Sequence, residues 1–204
     1  MVLQMLAVAR CLLEASLHHP RIRQWYLGNR ARQLSRVFWR QLGDETAPPP
    51  RTVTLKPTFL CNGRCKMCSY ANLKEGDDER LLTSSTETLP LETAKGLADE
   101  LAPHRACVSI SGGEPFLYRP LFELTDYLRR KGVMSVVTTN GTLIERRFEE
   151  LMAAPPDVLT VSILGPPEVH DRIIGLEDKQ RQIVAGIHMV NEAKRQKRKK
   201  TPLI

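Results

Sequence analysis

The sequence is poor in aromatic residues and has no apolar run long enough to cross a membrane. Aromatic side chains make up 5% of the 204 residues and hydrophobic ones 42%, which indicates a folded chain with an aliphatic core. The apolar stretch at residues 1–17 lacks a basic leader and is interrupted by Gln4, Arg10 and Glu14, short of the ~20 apolar residues that a spanning helix needs. We therefore expect no transmembrane helix, no secretory signal and a cytoplasmic protein.

Acidic residues are absent from residues 21–40, although this stretch carries six arginines. A second basic segment, at residues 194–200, carries six lysines and arginines. The formal net charge of +7 is therefore concentrated in these two segments, and the rest of the chain is net negative. A nucleic-acid-binding module is not favoured, because the central region is acidic and no aromatic-rich RNA-binding motif accompanies the arginines.

Residues 1–46 are predicted to form a basic, amphipathic helical segment separate from the main domain. Its arginines alternate with aromatic side chains, a mixture suited to the surface of an anionic membrane. The same pattern suits a helical cap that packs on the main domain, and the sequence leaves both interpretations open. The prolines within residues 47–51 disfavour helix, so we place a domain boundary there and predict a core domain at residues 51–204.

After this boundary, apolar strand patterns alternate with helical patterns. The segments between the strands repeat apolar residues every three or four positions, which is typical of amphipathic helices. This alternation predicts an α/β fold with a parallel sheet, whose functional residues lie at the carboxyl ends of the strands. The predicted strands are residues 52–58, 106–111, 133–139 and 157–163, and the predicted helices lie around residues 90–102, 121–128, 144–154 and 183–190.

Histidine is missing around the densest group of cysteines. Residues 61–68 read CNGRCKMC and hold three of the five cysteines, and no histidine lies within 35 residues on either side. An odd number of thiols in so short a loop cannot all form disulfides. A structural zinc ion needs four ligands, and Cys107 lies inside an apolar strand, so a zinc site remains a minor alternative. A [4Fe–4S] cluster held by three thiolates would instead leave one iron open for a substrate or cofactor.

Polar clusters follow the other three predicted strands. They are SGGEP at residues 111–115, Asn140-Gly141, and SILGPPEVHD at residues 162–171. An Asn-Gly pair is also typical of a hairpin turn. Here Ile144 and the residues after it continue with helical spacing, so we predict a helix instead. Together with the cysteines, four clusters are expected at one edge of the sheet.

These motifs, in this order, resemble the signature of the radical S-adenosylmethionine (radical SAM) superfamily. The resemblance rests on Cys61-x3-Cys65-x2-Cys68 after the first strand, on GGEP at residues 112–115 and on VSILGPPEVHD at residues 161–171. The last segment is similar to that of a subgroup that often carries SPASM-type carboxy-terminal extensions and matures peptides. The resemblance implies a partial (β/α) barrel of the radical SAM type, with about four of six strand–helix units after the N-terminal helical segment.

Two cofactors are implied by the same resemblance, a [4Fe–4S] cluster and S-adenosylmethionine. Cys61, Cys65 and Cys68 would ligate the cluster, and its open iron would bind the methionine end of S-adenosylmethionine. Residues expected by analogy to contact S-adenosylmethionine are Met67, Gly112, Gly113, Glu114, Pro115, Asn140 and Ser162.

The sequence departs from the family pattern at three positions. Met67 stands where the family usually has an aromatic residue, and its polarizable side chain is expected to keep the packing against adenine. Leu164 and Ile174 stand where the related subgroup tends to have aspartate and arginine. The loss of the aspartate puts one polar contact in doubt.

The implied activity is reductive cleavage of S-adenosylmethionine to a 5′-deoxyadenosyl radical, which removes a hydrogen atom from a substrate. An external donor such as flavodoxin or ferredoxin would supply the electron, and the substrate could be a peptide, a lipid or a small molecule. The final residues, TPLI, read as the first residues of a fifth strand, so a remnant that binds a cluster without turnover is an alternative. Peripheral membrane contact through residues 1–46 is a further expectation.

Overall fold

The structure is a computed structural model that describes residues 19–41, 49–72, 85–198 and 200–204. For residues 32–41 only the backbone is described. The apolar stretch at residues 1–17, including Cys11, lies outside the described residues, as do residues 42–48 at the predicted domain boundary.

Four parallel strands form one sheet in chain order. The predicted α/β fold with parallel strands is therefore confirmed, but each strand is shorter than the sequence pattern indicated. The first strand ends before Pro57, because proline has no N–H to donate to the neighbouring strand. The strands are β1 (Thr52–Leu55), β2 (Cys107–Ile110), β3 (Met134–Thr139) and β4 (Val158–Val161).

Leu203 occupies the place of a fifth strand beside β4. Its backbone N–H donates to the carbonyl of Asp157 at 3.0 Å, and its carbonyl accepts from the N–H of Leu159 at 2.8 Å. These bonds form a parallel bridge between Leu203 and Val158. The interpretation of TPLI as the start of a fifth strand is confirmed.

Five helices follow or separate the strands. Ile110, Leu124, Val137, Leu151 and Leu159 are fully buried between these helices and one face of the sheet. The helices are α2 (Leu91–Leu101), α3 (Leu121–Arg130), α4 (Phe148–Ala153), α5 (Pro167–Ile174) and α6 (Lys179–Gln196).

Helix α5 was not predicted, because its Pro-Pro start resembles a loop. Pro167 is nevertheless well placed at the first helical position, where no N–H is needed and its fixed φ suits a helix. Gly175 ends the helix in the left-handed conformation, with φ of 71°. Helix α4 begins at Phe148, four residues later than expected, because a series of turns occupies residues 141–147.

The N-terminal helix α1 (Pro20–Gln41) packs on the opposite face of the sheet. Ile22 is buried there against Cys107 and Met134. The Arg21 guanidinium pairs with the buried Asp157 carboxylate, with Nε and Oδ1 3.1 Å apart, and also donates to the Val133 carbonyl at 3.0 Å. These contacts support the packed-cap interpretation for the start of α1. In the parts of the chain that the structure describes, no helix is both long and apolar enough to cross a membrane.

Candidate functional site

The three clustered cysteines lie on a loop at the carboxyl end of β1. Cys61, Cys65 and Cys68 are partly exposed, whereas Cys107 is buried in β2. Two main-chain bonds fix the loop to the end of α5: Arg64 N–H donates to the Ile174 carbonyl at 3.0 Å, and Lys66 N–H to the Ile173 carbonyl at 2.9 Å. The backbone of the loop is therefore positioned by the chain beyond β4.

Asn72 closes the loop from its other end. Its side-chain amide donates to the carbonyl of Cys68 at 2.6 Å and to that of Lys66 at 3.2 Å. The Cys68 N–H in turn donates to the Cys65 carbonyl at 3.0 Å, which makes a tight turn. Cys65 and Cys68 are thus held on one turn, and the charge of Cys68 acts on the Cys65 thiol.

Burial and neighbouring charges oppose loss of protons from the thiols of Cys61 and Cys65. Burial raises the pKa of the Cys61 thiol, the Gly63 N–H that donates to its sulfur at 3.4 Å lowers it, and the nearby charges of Glu114, Cys65 and Cys68 raise it. Burial and the Cys68 charge likewise raise the pKa of Cys65. Thiolates this close together repel one another, so binding of a cationic group would stabilise them.

The arrangement of the thiols can be tested against the metals that cysteine binds. Among the described residues, no three His, Cys, Asp or Glu side chains lie close enough together to hold a single metal ion. Thiolates on one tetrahedral zinc lie about 3.8 Å apart, because each Zn–S bond is about 2.3 Å long. Cysteines on a [4Fe–4S] cube bind different irons and need a wider spacing. By donor count, three thiols on one loop match a [4Fe–4S] cluster with one open iron, whereas a closed structural zinc site needs a fourth ligand.

Gly112 and Gly113 lie directly beneath the cysteine loop. A Cβ atom on Gly113 would lie 2.3 Å from the Phe59 carbonyl oxygen and 2.4 Å from that of Leu60. Gly112 has φ of 120°, and its Cβ would lie 2.5 Å from the Thr58 oxygen. Both positions therefore require glycine, because a side chain would displace the backbone that leads into Cys61. The sequence resemblance assigns these glycines to contact with S-adenosylmethionine; the structure shows that they also allow close approach of the backbone leading into Cys61.

The Glu114 carboxylate joins the ends of β2 and β3. It is fully buried and accepts hydrogen bonds from the Phe116 N–H at 2.9 Å, the Thr139 hydroxyl at 2.7 Å and the Asn140 N–H at 2.8 Å. Burial raises the pKa of Glu114, and these three donors lower it. Pro115, also buried, begins the short 3₁₀ turn that follows. The Glu114 carboxylate thus accepts hydrogen bonds from the protein's own groups and holds the ends of β2 and β3 together.

Asn140 connects the end of β3 to the cysteine loop. Its side-chain NH2 donates to Asn62 Oδ1 at 2.9 Å, and its Oδ1 accepts from the Thr142 N–H and hydroxyl at 3.0 and 2.7 Å. Asn62 in turn donates to the Thr142 hydroxyl at 2.8 Å. Sequence reasoning missed Asn62 and Thr142. Their only sequence signal is that each lies one or two residues from a predicted site residue.

The two remaining predicted contacts lie on the same edge of the sheet. Met67 is 67% exposed on the cysteine loop, and Ser162 is partly exposed after β4, where its N–H donates to the Thr139 carbonyl at 3.0 Å. The structure therefore brings the cysteine loop, Gly112–Pro115 and Asn140 into contact. Ser162 lies at the end of the next strand.

The segment after β4 is organised by His170. This imidazole is fully buried, and its Nδ1 accepts a hydrogen bond from the Leu164 N–H at 3.1 Å. Ile174, which replaces the subgroup's arginine, is buried and holds the cysteine loop through its carbonyl. A backbone hydrogen bond therefore attaches the cysteine loop to α5 at Ile174.

A parallel α/β sheet with three thiols on the loop after its first strand defines a partial barrel able to hold an iron–sulfur cluster at its carboxyl end. The sequence pattern described as the radical SAM superfamily matches residues 55–201. The chain therefore belongs to the radical SAM superfamily. The cofactors of this family are a [4Fe–4S] cluster and S-adenosylmethionine, and this chain's relatives in the family include enzymes such as synthases and a peptide cyclase.

Two curated relatives illustrate the sequence similarity. Fe-coproporphyrin III synthase from Methanosarcina barkeri is 34% identical over 137 residues, which are 66% of this chain and 32% of that protein. The antilisterial bacteriocin subtilosin biosynthesis protein AlbA from Bacillus subtilis is 30% identical over 170 residues, 81% of this chain and 35% of that protein. The chain therefore spans about a third of the length of these relatives.

Solved structures share the fold. Streptococcus suis SuiB bound to its precursor peptide SuiA has a TM-score of 0.55 at 20% identity, covering 69% of this chain and 31% of SuiB. The structure described as anSMEcpe with bound AdoMet also has a TM-score of 0.55, at 22% identity, covering 72% of this chain and 40% of that one. At this level of identity the similarity establishes the architecture alone.

Proposed function

We propose that this chain forms the cluster-binding part of a radical SAM enzyme, with Cys61, Cys65 and Cys68 as the ligands of a [4Fe–4S] cluster. When bound, the reduced cluster and S-adenosylmethionine supply a 5′-deoxyadenosyl radical that removes a hydrogen atom from a substrate. The protein's own contribution is to hold the thiols and bind the cofactor in one orientation.

One observation carries this proposal: the backbone that leads into Cys61 is hydrogen-bonded to the GGEP segment. The Gly113 N–H donates to the Thr58 carbonyl at 3.0 Å, and the Glu114 N–H donates to the Leu60 carbonyl at 2.8 Å. A cluster on the thiols would therefore lie beside the backbone of residues 112–115. Both motifs named by the family resemblance thus form one surface.

The cofactor contacts follow from the same surface. Gly112, Gly113 and Pro115 offer backbone groups to the methionine end, while the Glu114 carboxylate holds the ends of β2 and β3 together. Met67 is exposed and can pack against the adenine ring. Asn140 and Ser162 are the polar residues assigned to the ribose and carboxylate at the ends of β3 and β4.

We also propose an electron donor, a membrane contact and candidate substrate classes for the reaction. A flavodoxin or ferredoxin supplies the electron in the cytoplasm. Residues 1–46 give the chain a peripheral contact with anionic membrane, for which Arg23 and Arg30 are exposed while the start of α1 packs on the sheet. The relatives' names include a porphyrin synthase and a bacteriocin biosynthesis protein, so a peptide and a small molecule both remain candidate substrate classes.

The test is formation of 5′-deoxyadenosine. The protein is reconstituted anaerobically with iron and sulfide, reduced with dithionite and incubated with S-adenosylmethionine, and the products are separated by chromatography. We expect 5′-deoxyadenosine and methionine in equal amounts, with neither formed by Cys65→Ala. A cluster-loaded protein that forms no more 5′-deoxyadenosine than this variant would contradict the proposed function.

A further inference from the structure

The two faces of the sheet have different partners. Val53, Val108, Val137 and Leu159 point to the face that packs against α2 to α6. Side chains alternate between faces along a strand, so the neighbouring positions point to the opposite face. That second face would line the interior of a barrel.

Part of this second face, on β2 to β4, is apolar and covered. Near the amino ends of the strands, Cys107 and Met134 are buried under Ile22 of α1, with Val136 and Val158 alongside. Near the carboxyl ends of the strands this face is polar on all four strands. We call its members the polar row, and they are Lys56, Ser111, Thr138 and Thr160.

Strand register places these four residues side by side. Thr54 pairs with Ser109 and Ser109 with Val136, so two residues further on Lys56 lies opposite Ser111 and Ser111 opposite Thr138. Thr138 pairs directly with Thr160. Lys56 and Thr160 are exposed, and Ser111 and Thr138 are partly exposed. The polar row therefore presents three hydroxyl groups and one ammonium group on an open surface.

The ammonium group of Lys56 is held in place by an aromatic pair. Its Nζ donates to the Tyr70 hydroxyl and lies 5.0 Å from the centre of the Tyr70 ring, in cation–π range. Tyr70 in turn packs edge-to-face on Phe59 at 5.0 Å. An ammonium has three hydrogens to donate, and the phenol oxygen takes one. None of the carboxylates among the described residues forms an ion pair with Lys56.

We infer that the polar row binds a carboxylate group of the substrate, with Lys56 as the residue that selects for the negative charge. The inference rests on the proposed function, since it assigns a substrate to that site. A single ammonium flanked by hydroxyl donors matches a monoanion with two acceptor oxygens. Tyr70 comes two residues after Cys68, so the bound carboxylate would lie next to the cysteine loop.

S-adenosylmethionine also carries a carboxylate, but the residues proposed to contact that cofactor lie further along the strands. Asn140 and Ser162, the polar residues proposed to contact the cofactor, follow Thr138 and Thr160 by two residues. Two residues of a parallel strand span about 6.6 Å. The polar row therefore lies beneath the residues that would hold the cofactor, where a substrate would approach from the interior.

The test is equilibrium binding of two matched peptides to the cluster-free protein, followed by amide chemical shifts of the 15N-labelled chain. The probes are acetyl-Gly-Gly-Glu-Gly-Gly-amide and the same peptide with glutamine. We expect the glutamate peptide to shift the amides of Ser111 and Thr160 and to bind about tenfold more tightly than the glutamine peptide. Lys56→Met should abolish this preference, and Lys56→Arg should restore most of it.

Lys131→Met is the matched control, because Lys131 also lies over a tyrosine ring, Tyr127, at 5.2 Å but at the other end of the sheet. It should leave the preference unchanged. Equal binding of both peptides, or a preference that survives Lys56→Met, would overturn the inference. The same holds if Lys56→Met weakens binding of S-adenosylmethionine to the reconstituted protein as much as it weakens the peptide. Since peptide binding needs no cluster, its result is independent of the test for 5′-deoxyadenosine.

Discussion

The side-chain amide of Asn140 donates to Asn62 Oδ1 at 2.9 Å, across 78 positions of sequence. This bond connects the residue after β3 to the residue after the first clustered cysteine. With Thr142 it forms a closed set of polar contacts, in which each side chain bonds to both others. The position of the cysteine loop therefore depends on the turn after β3 as well as on α5.

Replacing Asn62 with alanine should loosen the cysteine loop. The substitution removes two side-chain hydrogen bonds and leaves Asn140 without its acceptor, so we expect a loss of about 1–2 kcal/mol in the free energy of unfolding. Urea unfolding of the cluster-free protein measures this change. Asn191→Ala, on the α6 helix remote from the loop, is the control. An unchanged midpoint in Asn62→Ala would show that the contact contributes nothing.

Replacing Gly113 with alanine should displace the cysteine loop by direct steric conflict. The new Cβ would lie 2.3 Å and 2.4 Å from two backbone oxygens, which cannot move without moving the loop. We expect the variant to fold but to retain much less iron after reconstitution. Gly96→Ala is the matched control, because no atom lies within 4 Å of its added Cβ in α2. Equal iron in the two variants would contradict this account of the GGEP segment.

Much of the fold and of the candidate site can be predicted from the sequence, because it depends on local patterns. Alternating apolar segments predicted the parallel sheet and placed the loop with Cys61, Cys65 and Cys68 after its first strand, as the structure shows. The Asn62–Asn140 bond was not predictable, because it depends on how two turns far apart in sequence meet. Helix α5 was missed because its prolines resemble a loop. The neighbours of Gly113 likewise follow from the register of β1 and β2, which spacing alone does not give.

The ion pair between Arg21 and Asp157 should make α1 part of the folded core. Burial raises the pKa of Asp157, and the Arg21 charge lowers it. When the pKa of a carboxyl is higher in the folded than in the unfolded protein, the free energy of unfolding falls as the pH rises from the lower pKa to the higher one. Arg21→Met removes the charge that lowers the pKa of folded Asp157, so the gap between the folded and unfolded pKa becomes wider. We therefore expect the free energy of unfolding to fall by about 2 kcal/mol at pH 7 and by less near pH 4. Thermal or urea unfolding at both pH values measures it, with Arg23→Met, an exposed arginine of the same helix, as control. A pH-independent effect would contradict the pairing.

Cys107 should be chemically inert in the folded protein. Burial, with a smaller contribution from the Asp157 charge, raises the pKa of its thiol to about 12. The thiolate needed for alkylation is therefore scarce at pH 8.5. We expect iodoacetamide to modify the partly exposed Cys65 and Cys68 of the cluster-free protein while Cys107 stays unmodified until urea is added. Peptide mass mapping distinguishes the sites, and rapid native modification of Cys107 would contradict its buried position.

Iron content after anaerobic reconstitution tests the central assignment most directly. We predict about four irons and four sulfides per chain, with the broad visible absorption of a [4Fe–4S] cluster. Individual alanine substitutions of Cys61, Cys65 and Cys68 should each remove most of this iron and absorption, and Cys107→Ala should keep both. Stoichiometric zinc without a visible chromophore, or iron retained after the three loop substitutions, would contradict the assignment.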